Sequence, residues 1–312
     1  MATIAAEHVS LGGRPERTRW QKTVRLARRN PLGAGAAIML TVFSLIALGA
    51  GLDTLPVGSS QGKASPLIAT HDPFRMSSDE VLQRPGKGHL LGTDDLGRDL
   101  FSRIVYGARI SLWVGFISVG ISVGVGAPAG MISAYGGKWI DFAIQRIVDA
   151  MFAFPTIILA LAIVSVLGKG IVQTTIAVGI VGIPRIARVT RASTLGVKSL
   201  PYIEAARSLG APGPLIVSRH VFPNILAPLI VLGTAGFGTA ILAEASLSFL
   251  GLGTPPPNPS WGTMLSGAAQ QYVRSAPYLA IFPGIAISLG VFGFNLFGDA
   301  LRDIFDPRLR GA

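Results

Sequence analysis

Residues 110–137 read ISLWVGFISVGISVGVGAPAGMISAYGG, a run of 28 residues without a charged side chain. A helix needs about 20 such apolar residues to cross the roughly 30 Å hydrocarbon core of a bilayer. Backbone amides find no water there, so a spanning segment must satisfy them within a helix or a closed barrel. Two small-xxx-small pairs, Gly120/Gly124 and Gly126/Gly130, are typical of close helix packing. The run therefore predicts a membrane-spanning helix.

Five further runs without Lys, Arg, Asp or Glu complete the pattern, at residues 31–52, 150–168, 170–184, 220–243 and 275–298. Together they predict an all-α integral membrane protein with six transmembrane helices. The run 170–184 has 15 residues and reaches only about 22 Å as a helix. We expect this helix to continue through Arg185, Arg188 and Arg191, which lie near one face and can meet protein or water at the cytoplasmic end.

The charge distribution predicts the topology. Only 14% of the residues are charged, against about 25% in a typical soluble domain. If the N-terminus lies inside, 18 of the 27 Lys and Arg residues fall on cytosolic segments, as the positive-inside rule requires. We therefore expect both termini to be cytosolic and the net charge of +11 to reflect topology. Trp20 is the one aromatic residue among the basic ones of 14–29, so regular aromatic interleaving that would favour nucleic acid as a partner is missing.

These patterns divide the chain into five parts. Seven basic residues lie between Arg14 and Arg29, more than the basic region of a cleavable signal peptide carries. Within the core, the stretch 251–277 is apolar but interrupted by prolines, which predicts a re-entrant or surface-lying segment. The parts are a basic cytosolic arm (1–30), the first transmembrane helix (31–52), an extracytoplasmic loop (53–102), a five-helix core (103–303) and a cytosolic tail (304–312).

The cytosolic stretch 185–219 contains a short, well-delimited helix over residues 199–211. Ser199 is suited to the N-cap and Pro201 to the first turn. Gly210 can end the helix in the left-handed conformation. Its residues form two faces, one of Tyr202, Ala205 and Leu209 and one of Glu204, Arg207 and Ser208. Such a short helix is unstable alone in water, so it must pack either on its own bundle or on a partner.

The residues of this stretch resemble the EAA signature of ABC importer permeases. The signature is carried by Glu204-Ala-Ala206, then Gly210, then His220-Val-Phe-Pro223 at fixed spacing. The resemblance implies that the helix is a coupling helix, which docks in a groove of a cytosolic ATPase subunit. The residues it assigns to this contact are Glu204, Ala205, Ala206, Arg207, Leu209 and Gly210.

Three further segments are similar to the dipeptide/oligopeptide/nickel permease family, of the second permease type in such importers. They are LGTDDLGRD at 91–99, EASLSFLGLG at 244–253 and NLFGDALRDIFDPR at 295–308. The resemblance implies a type I ABC importer permease fold in the bacterial inner membrane, surrounded by lipid. Its expected partners are a second homologous permease subunit, two ATPase subunits that bind ATP and Mg, and an extracytoplasmic solute-binding protein.

Several alternatives stay open. Peptides are the expected substrate, and nickel complexes, glutathione or another small solute are alternatives within the same architecture. A stand-alone proton-coupled carrier would need ionisable residues within the membrane, and Glu244 is nearly the sole candidate. Glu244 either lies on a translocation path or hydrogen-bonds the 251–277 segment, with the structural role favoured.

Sequence patterns that would indicate catalysis, cofactor binding or metal binding are weak. Gly120-Ile-Ser122-Val-Gly124 matches a hydrolase pattern, but it lies within an apolar helix rather than on a strand–turn–helix elbow. No Walker motif and no cysteine is present, so we expect no catalytic residue and no cofactor on this chain. His8, His71, His89 and His220 show no ligand spacing, and no metal site is expected.

Two local charge pairings follow from sequence proximity. The turn at residues 94–99 lacks the ligand order of a calcium-binding loop, so we expect Arg98 and Arg103 to pair with its carboxylates. Arg146 and Asp149 lie three residues apart at a helix end and predict a local salt bridge.

Overall fold

The computed structural model describes residues 31–49 and 69–305, and all the regular elements in this part of the chain are helices. Residues 1–30, 50–68 and 306–312, which hold the basic arm and parts of the predicted loop and tail, lie outside it. The helices are α1 Pro31–Gly49, α2 Leu100–Tyr135, α3 Lys138–Phe152, α4 Thr156–Leu167, α5 Ile171–Lys198, α6 Pro201–Ser208, α7 Gly213–Phe249, α8 Trp261–Leu265, α9 Ala268–Gln271 and α10 Tyr278–Phe305.

Four of these helices are long and apolar enough to cross a membrane: α2, α5, α7 and α10. The pair α3 and α4 passes the same test together, as a fifth span that is bent by 96°. Helix α1 is also apolar, with 19 described residues. The chain is therefore a multi-pass membrane protein.

Helices α2 and α5 make the most extensive helix–helix contact among the described residues. Gly126 and Gly130 lie where α5 passes, so that the backbones approach closely. A Cβ at Gly130 would lie 2.7 Å from the Thr190 Cβ and would also meet the Ala187 carbonyl oxygen. The other predicted pair, Gly120 and Gly124, has open space around it. One small-residue pair thus packs as expected and the other does not.

The 251–277 segment folds back into the bundle around Trp261. This side chain is fully buried and packs against α2, α7 and α10, in a cluster that includes Ala108, Ile241 and Ile287. The indole Nε1 donates a hydrogen bond to the Ile104 carbonyl oxygen at 3.0 Å. The segment is irregular apart from α8 and α9, as expected, and it is anchored within the protein by an aromatic side chain.

The predicted span over 150–168 is not one continuous helix. Helix α3 ends at Phe152 and α4 begins at Thr156, with a sharp bend between them. The cause is Pro155, which supplies no amide hydrogen and disfavours helical geometry in the residue before it. Its backbone is extended at φ −55° and ψ 134°.

Helix α5 continues through its three arginines, as expected, and two of them bind α3. Arg191 forms a bidentate pair with Asp141, with both N···O distances at 2.6 Å. Arg188 pairs with Asp149 at 2.6 Å. The predicted Arg146–Asp149 salt bridge is therefore wrong, because Asp149 binds α5 and the Arg146 guanidinium lies over the Phe142 ring.

We predict that Gly130→Ala destabilises the protein, whereas Gly124→Ala, six residues away in the same helix, does not. The added methyl group at Gly130 would overlap the backbone of α5, and overpacking of this kind costs about 1–3 kcal/mol. Thermal unfolding of the detergent-solubilised variants measures the difference. Equal melting temperatures for the two variants would contradict the close α2–α5 contact.

Candidate functional site

Helix α6 is anchored in the bundle core by Ile203, and its Tyr202 hydroxyl accepts a hydrogen bond from the Asn224 side chain of α7 at 3.2 Å. Ile203 is 0% exposed and belongs to a core cluster formed by α2, α5 and α7. Its neighbours there include Ile186, Ile216 and Ile225. Neither of the two helix faces described from the sequence includes Ile203, so this anchor was not predicted.

Most of the remaining surface of α6 is exposed, and Ala206 is half-buried. Leu209 is 89% exposed and Tyr202 is 44% exposed. Glu204, Ala205 and Arg207 are also exposed, and within the described ranges Glu204 forms no ion pair. An exposed leucine and tyrosine beside an unpaired carboxylate form a surface suited to contact with another protein.

Gly210 ends α6 in the predicted left-handed conformation, with φ +83°. Its amide donates to the Arg207 carbonyl at 2.9 Å, and the Ala211 amide donates to the Ala206 carbonyl at 3.1 Å. This is a Schellman motif with glycine at C′. The helix proper covers Pro201–Ser208, with Leu200 rather than Ser199 at the N-cap, so the predicted range 199–211 includes both caps.

The bundle end that carries α6 is tied together by polar contacts. Lys198, the last residue of α5, donates to the Ala134 carbonyl of α2 at 2.8 Å. Asp141 of α3, which binds Arg191, also accepts a hydrogen bond from Ser133 of α2. Helices α2, α3 and α5 are thus connected to one another next to the helix that α5 leads into.

A cavity of about 240 Å³ lies between α2, α4, α5 and α7. Most of its wall is aliphatic. Four hydroxyl side chains, Ser118, Ser122, Thr156 and Thr239, and Arg185 also line it. Ser118 and Ser122 donate hydrogen bonds to carbonyl oxygens of α5 at 2.9 and 2.7 Å, which join the two helices beside the cavity.

Glu244 lies outside this cavity's lining, at 1% exposure. Ser248 donates to its Oε1 at 2.7 Å, and Ser111 of α2 donates to its Oε2 at 3.5 Å. Ser260 of the 251–277 segment donates to the Ser248 hydroxyl at 3.4 Å. This geometry matches the structural alternative, in which the carboxylate joins α2, α7 and that segment. A role of Glu244 in a solute path stays a prediction.

Residues 69–99 pack over the start of α2, at the end opposite α6. Arg98 and Arg103 both pair with Asp94, at 2.7 and 3.4 Å, as the sequence predicts. Asp99 caps α2 by accepting hydrogen bonds from Ser102. Tyr278 of α10 donates to the Gln83 carbonyl at 3.0 Å and so ties this segment to the bundle.

The same segment brings together two histidines that the sequence analysis treated as scattered. The rings of His71 and His89 have centroids 4.7 Å apart, and both approach Asp99. Their separation by an irregular loop leaves no fixed spacing that could reveal the contact. His220 lies at the opposite end, near the Tyr202 ring, and His8 lies outside the described residues.

Comparison with known proteins gives one family match and several similar chains. Residues 126–311 match the family described as "Binding-protein-dependent transport system inner membrane component". A dipeptide transport system permease protein of Alkalihalophilus pseudofirmus is 43% identical over 93% of this chain and 90% of its own length. A glutathione transport system permease protein of Pectobacterium atrosepticum is 47% identical over 74% of this chain and 77% of its own length. A glutathione transport system permease protein of Escherichia coli is 41% identical over 95% of this chain and 92% of its own length.

A chain of the MetNI methionine ABC transporter, solved in inward-facing conformations, has a similar structure. It superimposes with a TM-score of 0.54 and 20% sequence identity, covering 65% of this chain and 96% of that one. At 20% sequence identity, this structural similarity shows that the two chains share a fold.

We predict that Glu244→Ala lowers the thermal stability of the purified protein, whereas Glu244→Gln keeps most of it. Alanine leaves the buried hydroxyls of Ser111 and Ser248 without their acceptor, at a cost of about 1–3 kcal/mol, and glutamine can still pair with both. Ser246→Ala, a half-buried position on the same helix whose hydroxyl donates to the Leu242 carbonyl, is the control. Unchanged stability in Glu244→Ala together with lost solute uptake in Glu244→Gln would contradict the structural role and favour a solute path.

Proposed function

Because the chain belongs to the family of inner membrane components of binding-protein-dependent transport systems, we propose that it is a permease subunit of an ATP-driven ABC importer for peptides. The observation that carries the proposal is helix α6, which is anchored through Ile203, touches α7 through Tyr202, and exposes most of its remaining surface. Another protein that binds such a helix can displace it, and the displacement is transmitted to the spans against which the helix packs. This chain then has a transport role, and partner chains hydrolyse ATP.

The proposed contact with an ATPase subunit uses exposed residues of α6, the half-buried Ala206 and the C-terminal cap. They are Glu204, Ala205, Ala206, Arg207, Leu209 and Gly210. Leu209 supplies an apolar anchor of the kind that dominates interface energies, and Glu204 supplies an unpaired charge at the rim. ATP and Mg would be bound by two such ATPase subunits.

Movement of α6 would reach the spans through the contacts around it. Ile203 shares a core cluster with residues of α2, α5 and α7, so α6 cannot shift without displacing their ends. The Arg191–Asp141 pair then links α5 to α3. In the proposed cycle, ATP closes the ATPase dimer, two coupling helices approach each other, and the spans rock outward to accept solute. Hydrolysis resets the inward-facing state, as two-state coupling requires.

The proposed topology has six spans, namely α1, α2, the bent pair α3–α4, α5, α7 and α10. With α6 and both termini cytosolic, residues 69–99 and the 251–277 segment lie on the extracytoplasmic side of a bacterial inner membrane. Arg185, Arg188 and Arg191 then lie toward the cytosolic end of α5, where the positive-inside rule places them.

The cavity supports a solute path that this chain builds only in part. At about 240 Å³ it is smaller than the roughly 300–1,000 Å³ of typical small-molecule sites. We propose that a second, homologous permease subunit completes the path, and that an extracytoplasmic binding protein delivers the solute.

Peptides are the proposed substrate class, with glutathione as the second candidate. The similar chains bear the names of both transport systems, at 43% and 41–47% identity. Glutathione is itself a short peptide, so both candidates present a free carboxylate and amide groups to the path. Binding measurements on the solute receptor that works with this chain separate them.

We predict that Glu204→Arg and Gly210→Val each lower co-purification of the ATPase subunits at least tenfold. The first reverses the charge on the exposed surface of α6. The second forces a β-branched residue into a positive-φ position, at a cost of about 1–2 kcal/mol. Quantitative mass spectrometry of the complex purified through this chain measures the loss.

Two matched controls accompany these variants. Asp79→Arg makes the same charge change at an exposed residue of the 69–99 segment, and Gly213→Ala changes a glycine without positive φ near the end of the same loop. Both should keep their ATPase subunits. Normal co-purification of Glu204→Arg and Gly210→Val would contradict the docking role, as would proton-driven uptake by this chain alone in liposomes.

We predict that single cysteines at Ala205 and Asp79 label from opposite sides of the membrane. The chain contains no cysteine, so each variant carries one thiol, and both positions are exposed. A membrane-impermeant maleimide added to intact spheroplasts should modify Asp79→Cys and leave Ala205→Cys unmodified until the cells are lysed. Labelling of Ala205→Cys in intact spheroplasts would overturn the proposed orientation.

A further inference from the structure

Residues 69–99 assemble two imidazoles and a carboxylate at the start of α2. We propose that His71, His89 and Asp99 form a binding site for one divalent transition-metal ion of the zinc type. The site is independent of the proposed transport function, except that the function places it on the extracytoplasmic side.

The distances between the three side chains suit a metal centre. The Nδ1 atom of His89 lies 2.9 Å from Oδ1 of Asp99, and the Nδ1 atom of His71 lies 3.8 Å from the same oxygen. Metal bonds of about 2.0–2.1 Å in tetrahedral geometry separate their ligand atoms by about 3.3 Å. The observed distances lie on either side of that value, and one ligand atom from each residue falls within 4.8 Å of the others. Small side-chain rotations would therefore complete the site.

The carboxylate is held with one oxygen turned toward the rings. Oδ2 of Asp99 accepts hydrogen bonds from the Ser102 amide at 2.8 Å and the Ser102 hydroxyl at 2.6 Å. These contacts fix the side chain, which is 1% exposed, and leave Oδ1 for His71 and His89. The site is thus preorganised by the cap of α2, as ligating carboxylates commonly are.

A second carboxylate lies behind His89. Oε2 of Glu80 is 3.7 Å from the His89 Nε2 atom, on the side of the ring away from Asp99. If Nδ1 binds a metal ion, Nε2 carries the proton and faces this carboxylate, which is the usual arrangement behind a ligating histidine. Together Glu80 and Asp99 would neutralise the charge of a divalent ion.

The donor set selects the class of ion. Two imidazole nitrogens and one carboxylate oxygen suit Zn²⁺ and similar transition metals, whereas Ca²⁺ and Mg²⁺ prefer oxygen ligands throughout. The His71 side chain is 37% exposed, so an ion can enter from solvent and a water molecule can take the fourth position. An ion there would join residues 71 and 89 to the first turn of α2 and hold this segment against the bundle.

The test is metal binding by the full-length chain, purified in detergent through a tag that contains no histidine and freed of metal with EDTA. Zn²⁺ is titrated in competition with a chromophoric chelator, and Co²⁺ is added separately to record its visible absorption. We expect one Zn²⁺ per chain and the intense Co²⁺ bands of a four-coordinate site. His71→Ala should weaken Zn²⁺ binding at least tenfold, and Glu80→Gln should weaken it by about tenfold, as loss of an outer-shell partner does.

The controls distinguish loss of the metal site from loss of the fold, and metal binding at this site from metal binding by other histidines. His89→Asn keeps a hydrogen-bonding group near Asp99 but loses the imidazole, so it should fold and lose the Zn²⁺. His8→Ala and His220→Ala should bind as the unaltered chain does. Absence of 1:1 binding at micromolar Zn²⁺, or equal affinity in His71→Ala, His89→Asn and the unaltered chain, would overturn the proposal. Neither result depends on solute uptake, so the proposed function can fail or hold separately.

Discussion

The close approach of α2 and α5 is the contact on which the rest of the structure depends. Within a membrane, apolar side chains gain little from leaving lipid, so helices associate through close packing and interhelical hydrogen bonds. Gly126 and Gly130 allow that packing, and the hydroxyls of Ser118 and Ser122 add two hydrogen bonds to backbone carbonyls. With α5 fixed in this way, its arginines reach α3 and its C-terminus places α6.

Several polar groups within the spans are satisfied by other protein groups, although the buried hydroxyls of Thr190 and Thr194 have no hydrogen-bond partner among the described residues. Glu244 is buried among hydroxyl groups, and the two arginines that bind α3 lie in the second half of α5, next to the loop that carries α6. This arrangement keeps charges away from lipid, where they would be costly. It also makes each polar contact a link between two elements, so the hydroxyl cluster and the ion pairs define how the helices are placed relative to one another.

Most of the sequence interpretation rested on the lengths of charge-free runs and on residues that begin or end helices. Charge-free runs located the four long apolar helices α2, α5, α7 and α10. The left-handed cap at Gly210 was predictable because glycine tolerates positive φ where other residues are strained. The bend at Pro155 was missed because an apolar run was treated as one helix across a proline. Ile203 was missed because an eight-residue helix offers too few turns to define a face, and the His71–His89 contact depends on loop geometry that no spacing rule describes. The predicted Arg146–Asp149 pair is wrong because Asp149 pairs instead with Arg188 of α5, which is distant in the sequence but adjacent in space.

The exposed leucine of α6 has a consequence for how the chain must be produced. Burying a leucine side chain is worth roughly 1.5–3 kcal/mol, and at 89% exposure Leu209 has gained almost none of this. In the proposed assembly an ATPase subunit covers this side chain, and before that contact forms it is free to associate with unfolded chains, chaperones or proteases in the same compartment. We therefore expect cells to keep synthesis of this chain in balance with that of the protein that covers α6, because surplus copies would be recognised as unassembled and degraded.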